Sequence, residues 1–303
     1  DFRGISVHPE QIIVGAGTEY LYGLIVQLLG RDKTYGLENP CSNKIRNIYQ
    51  SLDVKTMPIE MDDEGILSEQ EGLKESDVIQ ISPSHHFPTG VVTSISRRYA
   101  ILGWANESDD RYIIEDDYDS EFRLQGRPIP SLFSIDTSGK VIYFNTFSKT
   151  LASTIRISYM VLPYSLLERF KSALGFYSCT VSNFEQYALA TFIMDGYLER
   201  HINRMRIQYK AIRDQLIDQI KSSWLAPYIS ISQENAGLHF LLDIDTDMTD
   251  EQLKEKALDM GIAVSFLSDY YDKTATGPAY LSDRHVAVIN YSGLGSSGVD
   301  LRL

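Results

Sequence analysis

The 303-residue chain is poor in several features that would place it at once. It has only two cysteines, Cys41 and Cys179, far apart and in no metal-ligating spacing. That excludes a disulfide scaffold or a zinc finger and fits reduced thiols in a cytoplasmic protein. No apolar run approaches the roughly 20 residues of a membrane-spanning helix. No basic segment with an apolar core opens the chain, so a secretory leader finds no support. Basic residues are also in deficit. Lys and Arg number 28 against 41 Asp and Glu, a net charge of −13 with no basic stripe. Such a surface is poorly suited to hold nucleic acid by its phosphates.

What is present concentrates in a few runs. Val141-Ile142-Tyr143-Phe144-Asn145 reads as an apolar strand, and it ends in Thr146-Phe147-Ser148-Lys149-Thr150 with Arg156 further on. A lysine so placed can condense with an aldehyde, while the hydroxyls and the planar guanidinium hold a phosphate. That is pyridoxal phosphate chemistry, in which the protein positions and tunes a cofactor. A strand followed by a solvated lysine turn is the plain alternative.

A second run, Arg111-Tyr112-Ile113-Ile114-Glu115-Asp116-Asp117-Tyr118-Asp119, reads as a buried strand that releases carboxylates and a tyrosine at its end. Ligands of open α/β sheets sit beyond the carboxyl ends of the strands. A carboxylate there favours a protonated pyridine nitrogen, and a tyrosine beside it can bond the ring oxygen. The alternative is a polar loop with capping aspartates. Gly15-Ala16-Gly17-Thr18-Glu19 opens a helix after a strand, where backbone N–H groups suit a phosphate. By itself that run equally fits a glycine turn with a helix cap.

These runs resemble the MocR family. So do Ser82-Pro83-Ser84-His85-His86-Phe87-Pro88-Thr89-Gly90, Gly126-Arg127-Pro128-Ile129-Pro130-Ser131-Leu132 and Arg200-His201-Ile202-Asn203-Arg204-Met205-Arg206. Members of that family, in the GntR superfamily, fuse a winged helix-turn-helix domain to an aminotransferase-like domain. The resemblance implies fold type I of the pyridoxal-phosphate enzymes. Lys149 is then the internal aldimine residue. Asp116 is the partner of the pyridine nitrogen, because the family's aspartate precedes by two residues the tyrosine that meets the ring oxygen, here Tyr118. Alternate strand residues share a face, so Asp117 points elsewhere. Gly17, Thr18 and Glu19 match the main-chain phosphate cradle, completed by Thr146, Ser148 and Arg156. His85 or His86 lies near the cofactor on this reading.

Two positions depart from the pattern. Ser42 stands where relatives carry an aromatic residue stacked on the pyridine ring. Val288 stands where aminotransferases carry the arginine that clamps a substrate carboxylate, with Arg284 nearby. The resemblance therefore implies an effector-sensing, dimer-forming domain in which a small amine or amino acid exchanges with Lys149. DNA would be read only through an upstream domain, since the chain begins, without methionine, where the family's linker ends. A working aminotransferase is the alternative, and a sensor of pyridoxal phosphate itself is a third reading.

The organisation expected is α/β. Strands at Gln11–Val14, Val78–Ser82, Tyr112–Glu115, Val141–Asn145 and Ile157–Leu162 alternate with helices such as Ser96–Trp104. That pattern predicts a mainly parallel sheet covered on both faces, over residues 1–195. A long charged helix from Gly196 then leads into a smaller α+β lobe over 196–303. In that lobe Thr249 and Gln252 form a capping box between strands at Leu238–Ile244 and Val286–Tyr291.

Overall fold

The glycine turn at Gly15–Gly17 divides a strand from a helix. β1 (Ile12–Gly15) leads into α1 (Thr18–Leu29), and Gly30 ends the helix at φ 125°, a conformation suited to glycine. The computed structural model describes residues 3–123, 129–235, 237–273 and 284–294, so Gly126-Arg127-Pro128 lie outside the described residues. Next come β2 (Thr34–Asn39), α2 (Asn43–Ser51), β3 (Lys55–Asp62), β4 (Gly65–Ile66), α3 (Glu71–Lys74) and β5 (Val78–Ile81). The chain continues through α4 (Ile95–Asn106), β6 (Tyr112–Asp116), α5 (Leu132–Ile135), β7 (Val141–Thr146), β8 (Ser158–Val161) and α6 (Tyr164–Leu174). Then α7 (Asn183–Met194) and the long α8 (Tyr197–Ser222) precede β9 (Ile229–Ser232), β10 (His239–Ile244), α9 (Asp250–Asp259), β11 (Ser265–Phe266) and β12 (His285–Asn290).

The large sheet has the order β1-β8-β7-β6-β5-β2-β3-β4. Its centre, β7-β6-β5-β2-β3, is parallel, whereas β8 is antiparallel to β1 and β7, and β4 is antiparallel to β3. Both faces are buried, which is why the central strands are apolar without alternation. Ile114, Ile142 and Phe144 pack with Leu21, Leu24 and Ile25 of α1, while Ile79, Ile113 and Val141 pack with Ile101, Leu102 and Trp104 of α4. From β2 the chain steps outward to β3, then returns to β5 and proceeds through β6 to β7. A crevice opens beyond the carboxyl ends of parallel strands at such a reversal.

β2, β3 and α2 are absent from the sequence reading. Gly36, Asn39 and Pro58 interrupt their apolar pattern, and a proline or glycine weakens any strand signal. In the second lobe β11-β12-β10-β9 form an antiparallel sheet. α8 packs Tyr209, Ile212, Leu216 and Ile217 against Leu238, Phe240 and Tyr291. The capping box forms: Thr249 N donates to Gln252 Oε1 at 3.0 Å and Gln252 N to Thr249 Oγ1 at 3.3 Å. Among the described residues no helix is long and apolar enough to cross a membrane.

Arg98 of α4 ties the loop after β5 to the core. Fully buried, it donates to the carbonyls of Thr93 and Pro130 at 3.0 Å and of Pro83 at 2.5 Å. Glu115, 4.0 Å away, accepts from the backbone of Leu132 and Phe133 at 2.8 and 2.9 Å. Arg98→Met strands those carbonyls and leaves Glu115 without its cation. A loss of about 3–5 kcal/mol is expected, measured by urea unfolding. A loss below about 1 kcal/mol, the worth of a surface pair, would rule out this bridging role.

Candidate cofactor-binding site

A cavity of about 360 Å³ opens beyond the carboxyl ends of β2, β5 and β6. That volume lies within the range of small-molecule sites. Glu38, Ser82 and Asp116 reach it from the strand ends, Thr18 from the start of α1, Lys149 from the turn after β7, and Asn290 from β12. The two lobes thus contribute to one hollow.

Asp116 is buried at the floor. Tyr22 of α1 donates to its Oδ2 at 2.6 Å, and Gln80 of β5 donates to the Tyr22 hydroxyl at 2.9 Å. Its other oxygen, Oδ1, is buried with no hydrogen-bond partner. Burial pushes the Asp116 carboxyl up to about 6, against the Tyr22 bond that lowers it, with Asp117 and Asp119 adding repulsion. It is therefore mostly ionised at neutral pH, with Oδ1 lacking a donor. Asp117, one residue on, points away from the cavity. It pairs with Arg3 at 2.7 Å and accepts from Tyr143 at 2.6 Å and Ser120 at 2.9 Å.

Tyr118 lines the cavity, its hydroxyl 3.4 Å from His85 Nδ1. His85 is buried with Asp119 at 2.8 Å, and its ring lies 4.7 Å from that of His239. His86 sits beneath, Nδ1 2.7 Å from Thr89 Oγ1 and Nε2 3.3 Å from Glu38 Oε2. Burial pushes the His86 imidazole down to about 3 and the Glu38 carboxyl up to about 8, so both are neutral at pH 7. Among the described residues no group of His, Cys, Asp and Glu could hold a metal ion.

The residues expected to meet a phosphate cluster beside the cavity. Arg156 Nη2 is 2.7 Å from Glu19 Oε2, and Lys44 of α2 pairs with Glu19 Oε1. A Cβ on Gly17, whose φ is 100°, would fall 2.3 Å from Arg156 Nη2. The guanidinium therefore lies over the glycine turn where α1 presents its free N–H groups. Thr146 donates to Ser148 Oγ at 3.0 Å and accepts from Ser158 at 2.9 Å, with neither Thr146 nor Ser148 lining the cavity itself. Lys149 is exposed at the rim. Pyridoxal phosphate fits this arrangement. An orphaned carboxylate oxygen lies at one end for a ring N–H, an anion cradle that a Cβ would fill lies at the other, and an amine stands at the edge.

Several site residues escaped the sequence. Tyr22, Gln80, Glu38, Lys44 and Asn290 line the cavity, and no motif marks them. Glu38, a charged residue closing a buried strand, is the one signal that was available. Ser42 lines the cavity and brings no ring to it. Val288 packs with Leu241, Leu267 and Val286, outside the cavity lining, and Arg284 is bound to Asp243 away from it.

The sequence matches the family described as aminotransferase class I and II over residues 1–271. It is 36% identical to the HTH-type transcriptional regulator YdeL of Bacillus subtilis (strain 168), over 98% of this chain and 61% of that protein. It is 31% identical to the probable rhizopine catabolism regulatory protein MocR of Rhizobium meliloti, over 96% of this chain and 58% of that one. The chain thus spans about three-fifths of the length of these regulators. Among solved structures, a kynurenine aminotransferase of Pyrococcus horikoshii in complex with PMP superposes with a TM-score of 0.77 at 25% identity, covering 93% of this chain and 70% of its own. With the fold and these matches in agreement, the chain belongs to the class I and II aminotransferase family, in the aminotransferase-like form that MocR-type regulators carry.

Proposed function

We propose that this chain is the pyridoxal-phosphate-binding, effector-sensing and dimer-forming domain of a MocR-type transcriptional regulator. One observation carries the cofactor assignment. Asp116 Oδ1 is buried and unpartnered at the floor of a cavity that has Lys149 at its rim. When bound, pyridoxal phosphate supplies an aldehyde and an electron-withdrawing ring. Asp116, oriented by Tyr22, holds a proton at the ring nitrogen, because an ionised carboxylate favours the charged ring. Tyr118 bonds the ring oxygen, and Lys149 Nζ is the attachment point. Arg156, the hydroxyls of Thr146, Ser148 and Thr18, and the backbone N–H groups of Gly17, Thr18 and Glu19 receive the phosphate. A small amine or amino acid exchanges with Lys149. DNA is reached through a separate upstream domain, in the cytoplasm, where Cys41 and Cys179 stay as free thiols. Residues 1–195 form the cofactor lobe, and 196–303 form the connecting helix and small lobe.

Regulation rather than efficient turnover is favoured by the cavity's cations. Among its described lining residues these are Lys44 and Lys149, with no arginine. A buried carboxylate without a partner is costly, so α-amino acids bind without their usual clamp. α7 supports self-association. None of its residues is buried, and Phe184, Tyr187 and Met194 are 83%, 75% and 83% exposed. Such an apolar surface marks an interaction face, and two-fold closure is the commonest arrangement.

Titration with pyridoxal phosphate should give an absorbance band at the visible edge that Lys149→Ala abolishes. Asp116→Asn should shift the band, whereas Asp117→Asn should keep it and lower the unfolding midpoint. A band that persists without Lys149, or a larger spectral change at Asp117 than at Asp116, would overturn these assignments.

Mixing the loaded protein with a panel of α- and ω-amino acids should show binding with slow conversion to the pyridoxamine form. Conversion of any α-amino acid at about 10 per second, a typical enzyme turnover, would place the chain among working aminotransferases instead.

Sedimentation velocity should find a dimer that Phe184→Asp with Tyr187→Asp converts to monomer. A loaded wild-type protein that sediments as monomer would remove dimerisation from this reading.

A further inference from the structure

We infer that Glu19 is an internal anion that competes with the cofactor's phosphate for Arg156, so that the protein holds pyridoxal phosphate exchangeably. The inference rests on the reading above and names how that site is regulated. The start of α1 favours an anion, through its free N–H groups and the helix dipole. Arg156 lies over Gly17, closing the same spot from the other side. Yet the guanidinium is already engaged by Glu19 Oε2 at 2.7 Å, and Lys44 holds the other oxygen of that carboxylate.

The side chain of Glu19 therefore stands in for a phosphate oxygen. Its own burial would raise its pKa, but the hydrogen bonds from Lys44 and from its own backbone N–H, with the charges of Lys44 and then Arg156, bring it down to about 2. No physiological pH releases it by protonation. An incoming phosphate must detach Arg156 from Glu19 and then share the turn with a neighbouring negative charge. The contest reaches the turn's backbone as well, since the Glu19 carboxylate accepts from its own N–H.

The contest is balanced rather than blocking. The side chains of Arg156 and Glu19 are 47% and 32% exposed, and pairs at such exposure are weak and screened by salt. Glu19 thus loosens the phosphate grip without abolishing it. A domain that releases and rebinds its cofactor reports the level of pyridoxal phosphate as well as that of any amine meeting Lys149. Lys44, which also lines the cavity, keeps Glu19 paired once Arg156 has moved to the phosphate.

The test compares the full chain with Glu19→Gln, Arg156→Ala and the double variant at low salt. Each is titrated with pyridoxal phosphate and with pyridoxal, followed by absorbance, and with inorganic phosphate, followed by the unfolding midpoint. Glu19→Gln should bind pyridoxal phosphate about five- to tenfold more tightly, the scale of one weak ion pair plus one like-charge repulsion. Its affinity for pyridoxal, which lacks the phosphate, should not change. The gain should vanish in the Arg156→Ala background, since coupled residues do not act additively. Inorganic phosphate should raise the midpoint of Glu19→Gln more than that of the wild type. Equal or weaker binding of pyridoxal phosphate by Glu19→Gln would overturn the inference and make Glu19 a support for Arg156. If no variant forms the absorbance band, the cofactor reading fails instead, and the inorganic phosphate arm still decides: equal shifts overturn the competition.

Discussion

A carboxylate buried at the end of a parallel strand, with one oxygen left without a donor, is the constraint on which the cofactor site turns. Leaving a buried acceptor unmet costs about 1–3 kcal/mol, more when it is charged. The fold tolerates Asp116 Oδ1 in that state because Tyr22 satisfies the other oxygen, Gln80 orients Tyr22, and the surrounding strands hold all three in place. On the proposed reading a protonated ring nitrogen is the group that relieves the cost. The unmet oxygen lies at the point where the strand order reverses and the sheet cannot close over its own ends.

The same strand keeps structure and chemistry apart. Alternate residues of β6 and its extension face opposite ways, so Asp116 and Tyr118 look into the cavity while Glu115 and Asp117 look into the protein. Asp117 Oδ2 is held by Arg3, Tyr143 and Ser120, away from the cavity, and Glu115 by the backbone of α5. Four acidic or phenolic side chains in a row can thus be buried without all of them repelling a ligand. Arg98 extends the arrangement by fixing the loop that carries His85 and His86 under the cavity wall.

Charge governs what the site can do. On the proposed reading the site has a phosphate cradle, a ring-nitrogen partner and an attachment lysine. The clamp for an α-carboxylate is replaced by an apolar cluster around Val288, and Arg284 is held by Asp243 at the far end of β12. Glu19 adds a negative charge to the cradle itself. On the proposed reading each difference weakens retention or turnover more than binding, which suits a sensor better than a catalyst.

Much of this was legible without coordinates, and for a definite reason. The strand ends, the glycine turn, the lysine cluster, the capping box of α9 and the facing of Asp116 rather than Asp117 toward the cavity are local matters, governed by periodicity of two, helix caps and φ preferences. β2 and β3 were not legible, because glycine and proline interrupt them, and neither was the antiparallel direction of β1 and β8, which depends on the strand that lies beside each. Pairings across long stretches of chain decided the rest. Tyr22 reaches Asp116 over 94 residues, and Glu19 reaches Arg156 over 137. The sequence by itself determined the aminotransferase-like fold and the runs that converge on the cavity. Only the tertiary structure decided that Asp116, facing the cavity, keeps one oxygen without a donor and that Arg156 is already paired with Glu19, since hydrogen bonds and ion pairs between distant residues follow from packing.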